Sequence, residues 1–198
     1  MRIRRKKWAK EELEKAEFYI DNPSEFKNSW NKKFKNNQPL YLELGCGKGV
    51  FIATLAEKHP EINYIAVDMI EAMLGLSKRN IEAAYNFENP ENLFLIRANV
   101  ERISEVFDKA DGVKRIYINF CNPWPKKKHN KKRLTHPRQL VQYKEILSED
   151  VSCQSISITP SNLTPFRSSS LIYHTIFPFS LRLLHVSSET TNLSLWGK

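Results

Sequence analysis

Three closely spaced glycines could form a binding loop for a cofactor. They occupy positions 45, 47 and 49, between an apolar run and a helical pattern, and Glu43 stands two residues before the first. Glycine is needed where a backbone turns tightly and where a ligand must approach it closely. The spacing differs from the G-x-G-x-x-G of dinucleotide-binding loops, and a simple tight turn is the alternative. Gly45 and Gly47 are the candidate cofactor-binding glycines.

Polar residues follow the neighbouring apolar runs. Asp68, nineteen residues after Gly49, could accept hydrogen bonds from ribose hydroxyls, as in sites for nucleoside-containing cofactors, NAD included. Asn99 could contact an adenine edge, because an amide both donates and accepts hydrogen bonds. Glu43 could bind a cationic group of the cofactor. The alternatives are a helix cap for Asn99 and a solvated surface position for Glu43.

A proline-rich loop follows the fourth apolar run and leads into a basic segment. The loop reads Asn122-Pro-Trp-Pro-Lys126, and its two prolines restrict the backbone around Trp124. An indole can stack on a nucleobase, and an amide can hydrogen-bond a base edge. The alternative is a structural turn with the indole in the core. The cationic side chains suited to RNA phosphates are Lys126, Lys127, Lys128, Lys131, Lys132 and Arg133.

The charge of the chain indicates a polyanionic partner. The net charge is +9, and eleven of the 31 lysines and arginines lie in residues 1–7 and 126–133. A solvated surface or an import signal is the alternative explanation. The sequence has neither an apolar run long enough for a membrane span nor the apolar stretch of a secretory signal. Because the three cysteines lack metal-ligand spacing, we expect a cytoplasmic protein without a metal.

The candidate residues need elements that bring them together. Strand, loop and helix patterns alternate four times, which predicts a doubly wound, mostly parallel α/β sheet with helices on both faces. Ligands of such sheets bind beyond the carboxyl ends of the strands, where the candidate residues lie. The predicted strands are 40–44, 62–68, 93–97 and 115–120. The predicted helices are 11–20, 50–59, 70–84, 101–110 and 135–147, the last capped by Thr135.

The composition changes after residue 147. Serine and threonine make up 17 of the 51 residues from Ser148 to Lys198, against 6 of the 147 before them. We interpret the chain as a basic N-terminal arm and helix (1–38), a cofactor-binding core (39–147) and an atypical tail (148–198). A reading-frame error in the source sequence is the favoured explanation of the tail. A divergent domain end and a disordered tail are the alternatives.

Several segments resemble bacterial tRNA (guanine-N7-)-methyltransferases, which are class I enzymes. They include YLELGCGKGVFI, INYIAVD and NFCNPWPKKKHNKKRLTHPRQL, and the resemblance covers about residues 1–147. It implies a Rossmann-like fold and methyl transfer from S-adenosylmethionine to N7 of a guanine in tRNA, usually at position 46 of the variable loop. It also implies that the basic run beginning at Lys126 contacts the RNA. The residues it implies for the cofactor site are Glu43, Asp68, Asn99 and Asn122.

Two features depart from the family pattern. Many members have aspartate at the positions of Asn99 and Asn122, and the second aspartate is commonly given the catalytic role. Guanine N7 carries a lone pair and no proton, so its methylation requires placement of the base and no general base. Asn122 therefore stays the candidate catalytic residue. Residues 148–198 contain no recognisable counterpart of the family's later strand, Thr-Asp loop or Thr-x-Tyr-Glu segment.

Two other functions stay open at this point. The NPWP sequence also resembles the Asn-Pro-Pro-aromatic loop of enzymes that methylate the amino group of adenine. A chain with an abnormal C-terminal segment could instead bind RNA without catalysis. The sequence does not distinguish a monomer from a homodimer.

Overall fold

The structure is a computed structural model that describes residues 4–119, 124, 126–148, 156–159 and 173–174. The strands are β1 (Tyr19–Ile20), β2 (Leu40–Leu44), β3 (Asn63–Asp68), β4 (Leu93–Arg97), β5 (Val113–Asn119), β6 (Ile156–Thr159) and β7 (Tyr173–His174). The α-helices are α1 (Trp8–Glu14), α2 (Trp30–Lys33), α3 (Val50–Lys58), α4 (Glu71–Ala84) and α5 (Pro137–Ile146). Short 3-10 helices span Pro23–Phe26, Val100–Glu105, Lys109–Asp111 and Lys127–Lys132.

The strands form one sheet in the order β1-β4-β3-β2-β5-β6-β7. Neighbouring strands from β1 to β6 are parallel, and β7 is antiparallel to β6. The chain proceeds from β2 to β3 and β4 on one side, then returns to β5 on the other side of β2. Such a reversal of strand order opens a ligand-binding crevice beyond the carboxyl ends of the two strands that flank it. The predicted parallel α/β fold is confirmed.

Apolar side chains are buried on both faces of the sheet. In β3, Ile65 and Val67 join one core cluster, while Tyr64 and Ala66 join the other, and none is more than 1% exposed. Side chains alternate between the faces of a strand, so a strand covered on both sides has a continuous apolar sequence. For this reason the run INYIAVD is readable as a strand.

The N-terminal segment packs against the sheet and its helices. Helix α1 lies on α4, where a Cβ added to Gly75 would be 2.7 Å from the Cβ of Ala9. Trp30 in α2 is fully buried, and its indole N–H donates to the carbonyl of Val106 at 3.0 Å. Its ring stacks on Phe107 with centroids 5.3 Å apart. The buried indole thus has both apolar contact and a hydrogen-bond partner, as a buried tryptophan requires.

Two predicted helix ends are wrong. The helix expected over 11–20 ends at Glu14, and Tyr19–Ile20 pairs with β4 instead. This pairing depends on a strand more than seventy residues away, which local periodicity does not reveal. The cap of α5 is His136, whose ring nitrogen accepts a backbone N–H, and Thr135 does not have that role.

The helix expected over 101–110 is also different in the structure. The chain forms the 3-10 helices Val100–Glu105 and Lys109–Asp111, and Arg102 inside the first has a non-helical φ of −129°. The side chains of Asn99 and Asp108 each accept a backbone N–H at the start of one of these short helices. Two caps nine positions apart favour two short turns over one continuous helix.

Strands β6 and β7 lie in the tail, where the sequence patterns revealed no strands. β6 pairs with β5 in parallel, with Ile158 opposite Ile118. β7 has only two residues, and the alternation of apolar and polar residues in β6 extends over only four, which is the minimum for a strand signal. The other predictions for residues 148–198 fall outside the described residues, and the division of the chain at residues 38 and 147 stays a prediction.

Candidate active site

The glycine loop joins β2 to α3 at the carboxyl edge of the sheet. Gly45, Gly47 and Gly49 have φ angles of +78°, +57° and +68°, in the left-handed region that favours glycine. The N–H of Gly45 donates to the carbonyl of Val67 at 2.8 Å, which fixes the loop to β3. A Cβ on Gly49 would overlap the hydroxyl oxygen of Ser77. The loop therefore requires glycine there both for its backbone and for the close approach of α4.

The carboxylate of Asp68 binds the glycine loop from the end of β3. The N–H of Gly47 donates to its Oδ2 and the N–H of Ile70 to its Oδ1, both at 2.9 Å. Burial raises the pKa of Asp68, and these two hydrogen bonds act in the opposite direction. Each carboxylate oxygen has a second lone pair and can still accept a hydroxyl. The contact with ribose stays a prediction.

Glu43 at the end of β2 is buried, with 2% of its surface exposed, so the solvated alternative is excluded. The amide of Asn119 donates to its Oε1 at 3.0 Å. Its Oε2 is buried and completes no hydrogen bond with a described residue. Burial raises the pKa of Glu43 to about 7, and the hydrogen bond from Asn119 lowers it in part.

The free oxygen of Glu43 provides a test of whether this edge fits a cofactor. A buried carboxylate oxygen without a partner is unfavourable, since it has lost its hydration and gained nothing in exchange. An ammonium group on a ligand would supply both a hydrogen-bond donor and the opposite charge. The buried carboxylate next to the glycine loop therefore fits a cofactor with a cationic end.

Asn99 caps the 3-10 helix that follows β4. Its Oδ1 accepts the N–H of Glu101 at 2.9 Å, and its side chain is exposed. The neighbouring N–H of Ala98 donates to the carbonyl of Asp68 at 3.0 Å, which keeps the start of this helix beside the end of β3. Asn99 is thus a helix cap, and its amide nitrogen is still able to donate a hydrogen bond to a ligand.

Trp124 packs against the basic run, residues 126–133, and not in the core. Its ring is half-buried, with the ring of His129 edge-on at 5.3 Å and the ammonium of Lys132 at 5.3 Å from its centre. The guanidinium of Arg133 donates twice to the carbonyl of Trp124, at 3.0 and 3.3 Å. These contacts hold the loop and the cations together, and they contradict the alternative of a tryptophan buried in the core.

The basic run is anchored beside the glycine loop. A Cβ on Gly45 would lie 3.4 Å from Cδ1 of Leu134, the residue after the run. The hydroxyl of the fully buried Tyr143 donates to the carbonyl of Leu134 at 3.0 Å. Only the side chain of Leu134 therefore separates the end of the basic run from the candidate cofactor loop.

The remaining predicted residues divide into three groups. The structure describes only the backbone of Lys127. Asn122 lies outside the described residues. The exposed lysines of the run are Lys126, Lys128, Lys131 and Lys132.

Two contacts at the candidate site are not predicted by the sequence. Asn119 bonds Glu43, and Leu134 touches the glycine loop. The available signal for Asn119 was its position one residue beyond Ile118 at the end of an apolar run. Its partner could not be named until β2 and β5 were known to be neighbours.

No helix among the described residues is both long and apolar enough to cross a membrane. In the same residues, no cluster of three or more histidine, cysteine, aspartate or glutamate side chains is arranged to hold a metal ion.

Comparison with known proteins identifies the family. Residues 37–156 match a family described as "Putative methyltransferase". The tRNA (guanine-N(7)-)-methyltransferase of Clostridium botulinum is 55% identical over 152 residues, which cover 76% of this chain and 69% of that protein. The protein of the same name from Clostridium beijerinckii is 53% identical, with the same coverage. The solved aminoglycoside resistance methyltransferase NpmB1 has a TM-score of 0.48 at 16% identity over 65% of this chain and 59% of that chain, which is too distant to add to the argument. The chain therefore belongs to the tRNA (guanine-N(7)-)-methyltransferase family.

Proposed function

We propose that this protein transfers a methyl group from S-adenosylmethionine to N7 of a guanine in tRNA, at position 46 of the variable loop. The names of the relatives that are more than 50% identical support this activity. The structural observation that supports it best is the contact of Leu134 with the glycine loop, because it places the basic run beside the candidate cofactor site.

The residues at the carboxyl edge would hold the cofactor in complementary ways. S-adenosylmethionine supplies a methyl group bonded to a positively charged sulfur. Gly45 and Gly47 allow the ligand to approach the backbone closely, and Glu43 accepts hydrogen bonds from its ammonium group. Asp68 accepts a ribose hydroxyl, while the amide of Asn99 contacts the adenine edge.

The tRNA would be held by charge and the target base by the proline-rich loop. The exposed lysines of the basic run bind phosphates, and Trp124 stacks on a base taken out of its helix. Asn122 orients the guanine edge by hydrogen bonding. Since N7 already carries a lone pair, the protein needs only to align this atom with the methyl group, and no residue has to remove a proton.

Methyl transfer to an unmodified tRNA transcript tests this proposal. With labelled S-adenosylmethionine, we expect label in 7-methylguanosine after digestion, and none in a matched transcript with adenine at position 46. Label in an adenine amino group would instead support the adenine-methylating alternative. A chain that binds both ligands but transfers nothing would support the RNA-binding alternative and contradict the proposal.

A further inference from the structure

Strands β2 and β5, which are neighbours where the strand order reverses, bring one amide and one carboxylate together. In the register of β2 and β5, Glu43 lies opposite Tyr117. Asn119, two residues further along β5, therefore lies on the same face of the sheet as Glu43. The amide nitrogen of Asn119 is 3.0 Å from Oε1 of Glu43.

We propose that Asn119 is a positioning residue, which favours the ionised form of Glu43 and directs its second oxygen to the ammonium group of S-adenosylmethionine. This inference rests on the proposed function, because it assigns a role in the same cofactor site. Asn119 itself need not touch the cofactor.

The chemistry of an amide suits this role. The NH2 group of asparagine can only donate, and a donated hydrogen bond favours the charged form of a carboxyl group. It occupies Oε1 of Glu43 and leaves Oε2 for a ligand. A lysine or arginine in place of Asn119 would also neutralise the carboxylate and so compete with the ligand's own cation. A neutral donor orients the negative charge without cancelling it.

The groups around Glu43 agree with this assignment. Asp68 faces it from β3 and raises its pKa, while the nearby N–H of Ile52 in the first turn of α3 lowers it without completing a hydrogen bond to Oε2. The thiol of Cys46 in the glycine loop also faces this carboxylate, and burial holds the pKa of the thiol well above its usual range. Among the residues that the structure describes, no lysine, arginine or histidine forms an ion pair with Glu43.

Cofactor binding should therefore depend on pH through Glu43. Burial raises the pKa of Glu43 to about 7 in the free protein, so its carboxylate is only partly formed at neutral pH. If only the carboxylate binds the ammonium group, affinity falls about tenfold for each pH unit below that pKa. Loss of the donor at Asn119 raises the pKa further and moves this dependence to higher pH.

Calorimetric titration with S-adenosylmethionine between pH 6 and 8.5 tests the role of Asn119. For the wild-type protein we expect affinity to fall below about pH 7. In Asn119→Asp and Asn119→Leu the fall begins about one pH unit higher, and affinity at pH 7 is about fivefold weaker. Glu43→Gln binds weakly with no such dependence.

A matched substitution and a matched ligand serve as controls. The exposed Asn89 donates to Glu17 at 2.9 Å, so Asn89→Asp makes the same change beside another carboxylate and should leave the pH profile unaltered. Methylthioadenosine lacks the ammonium group, and its affinity should not vary with pH or with substitution of Asn119. Unchanged methylthioadenosine binding also shows that a variant is folded.

The outcomes separate the two proposals. If both Asn119 variants bind methylthioadenosine normally and keep the wild-type pH profile for S-adenosylmethionine, the positioning role is overturned. If the folded wild-type protein binds neither ligand, the proposed function itself fails.

Discussion

At the scale of single residues, Glu43 should make the free protein less stable as the pH rises. Folding raises its pKa from 4.5 to about 7, so its contribution to stability is present below about pH 4.5 and is lost as the pH rises through 7. Glu43→Gln removes this loss. We expect the variant to gain stability relative to wild type between pH 5 and pH 8, by at most about 3 kcal/mol.

Thermal unfolding of the two proteins without cofactor measures this effect. For a chain of this length, about 1 kcal/mol corresponds to roughly 2–4 °C in Tm. Saturating S-adenosylmethionine should reverse the order at pH 8, because only the wild type retains the carboxylate that binds it. An equal difference in Tm at pH 5 and pH 8 would show that Glu43 does not titrate in this range.

The candidate site is predictable from the sequence only where one residue carries the signal. The glycines and Asp68 were recognised because they follow apolar runs, and all lie at the edge expected for them. The burial of Glu43 and its bond to Asn119 were not predictable. Both depend on β2 and β5 being neighbours, which is a property of the sheet and not of either segment.

At the scale of elements, Gly75 should control the docking of α1 on α4. A Cβ there would lie 2.7 Å from the Cβ of Ala9 and 2.9 Å from Cζ3 of Trp8. In a helix that touched nothing, Gly→Ala would stabilise the protein by about 1 kcal/mol. We expect Gly75→Ala to destabilise it instead, by about 1–3 kcal/mol, because the added methyl group forces the helices apart.

Denaturant unfolding of the single and double variants checks this sign. Ala9→Gly returns the space that Gly75→Ala takes, so the double variant should be more stable than the sum of the two single effects indicates. Recovery will be partial, since Trp8 still meets the new methyl group. A single variant that is more stable than wild type would show that α1 does not rest on α4.

The elements differ in how far their sequences define them. Leu40–Leu44 and Leu93–Arg97 were predicted with their observed bounds, because each apolar run ends at a glycine or polar residue. The pattern of residues 11–20 predicts a helix that includes Tyr19–Ile20, since a two-residue strand has no period of its own. Its conformation is fixed by hydrogen bonds to β4, and such distant pairing overrides local preference.

At the scale of the whole molecule, the cationic segments lie at the edge that carries the cofactor loop. The basic run, Lys126–Arg133, comes after β5 in the chain, and the next residue, Leu134, lies against Gly45. Arg5 lines a surface cavity together with Ile70, just beyond the carboxyl end of β3. Arg5 and the basic run thus both lie near the carboxyl ends of the central strands. This arrangement favours a polyanion that crosses the mouth of the site.

The salt dependence of tRNA binding should report the basic run. Each phosphate contact contributes about 0.7–0.9 to the slope of log affinity against log salt concentration. Replacing Lys126, Lys128 and Lys131 with alanine should therefore weaken binding and reduce the slope by about 2. Filter binding across a salt series measures both quantities.

A control variant removes equal charge near the amino ends of the strands, with Lys32→Ala, Lys35→Ala and Lys58→Ala. Those lysines are exposed, and they lie before the start of β2 or at the end of α3, so the slope of this variant should match the wild type. Equal slopes for both triple variants would mean that the tRNA does not lie on the basic run.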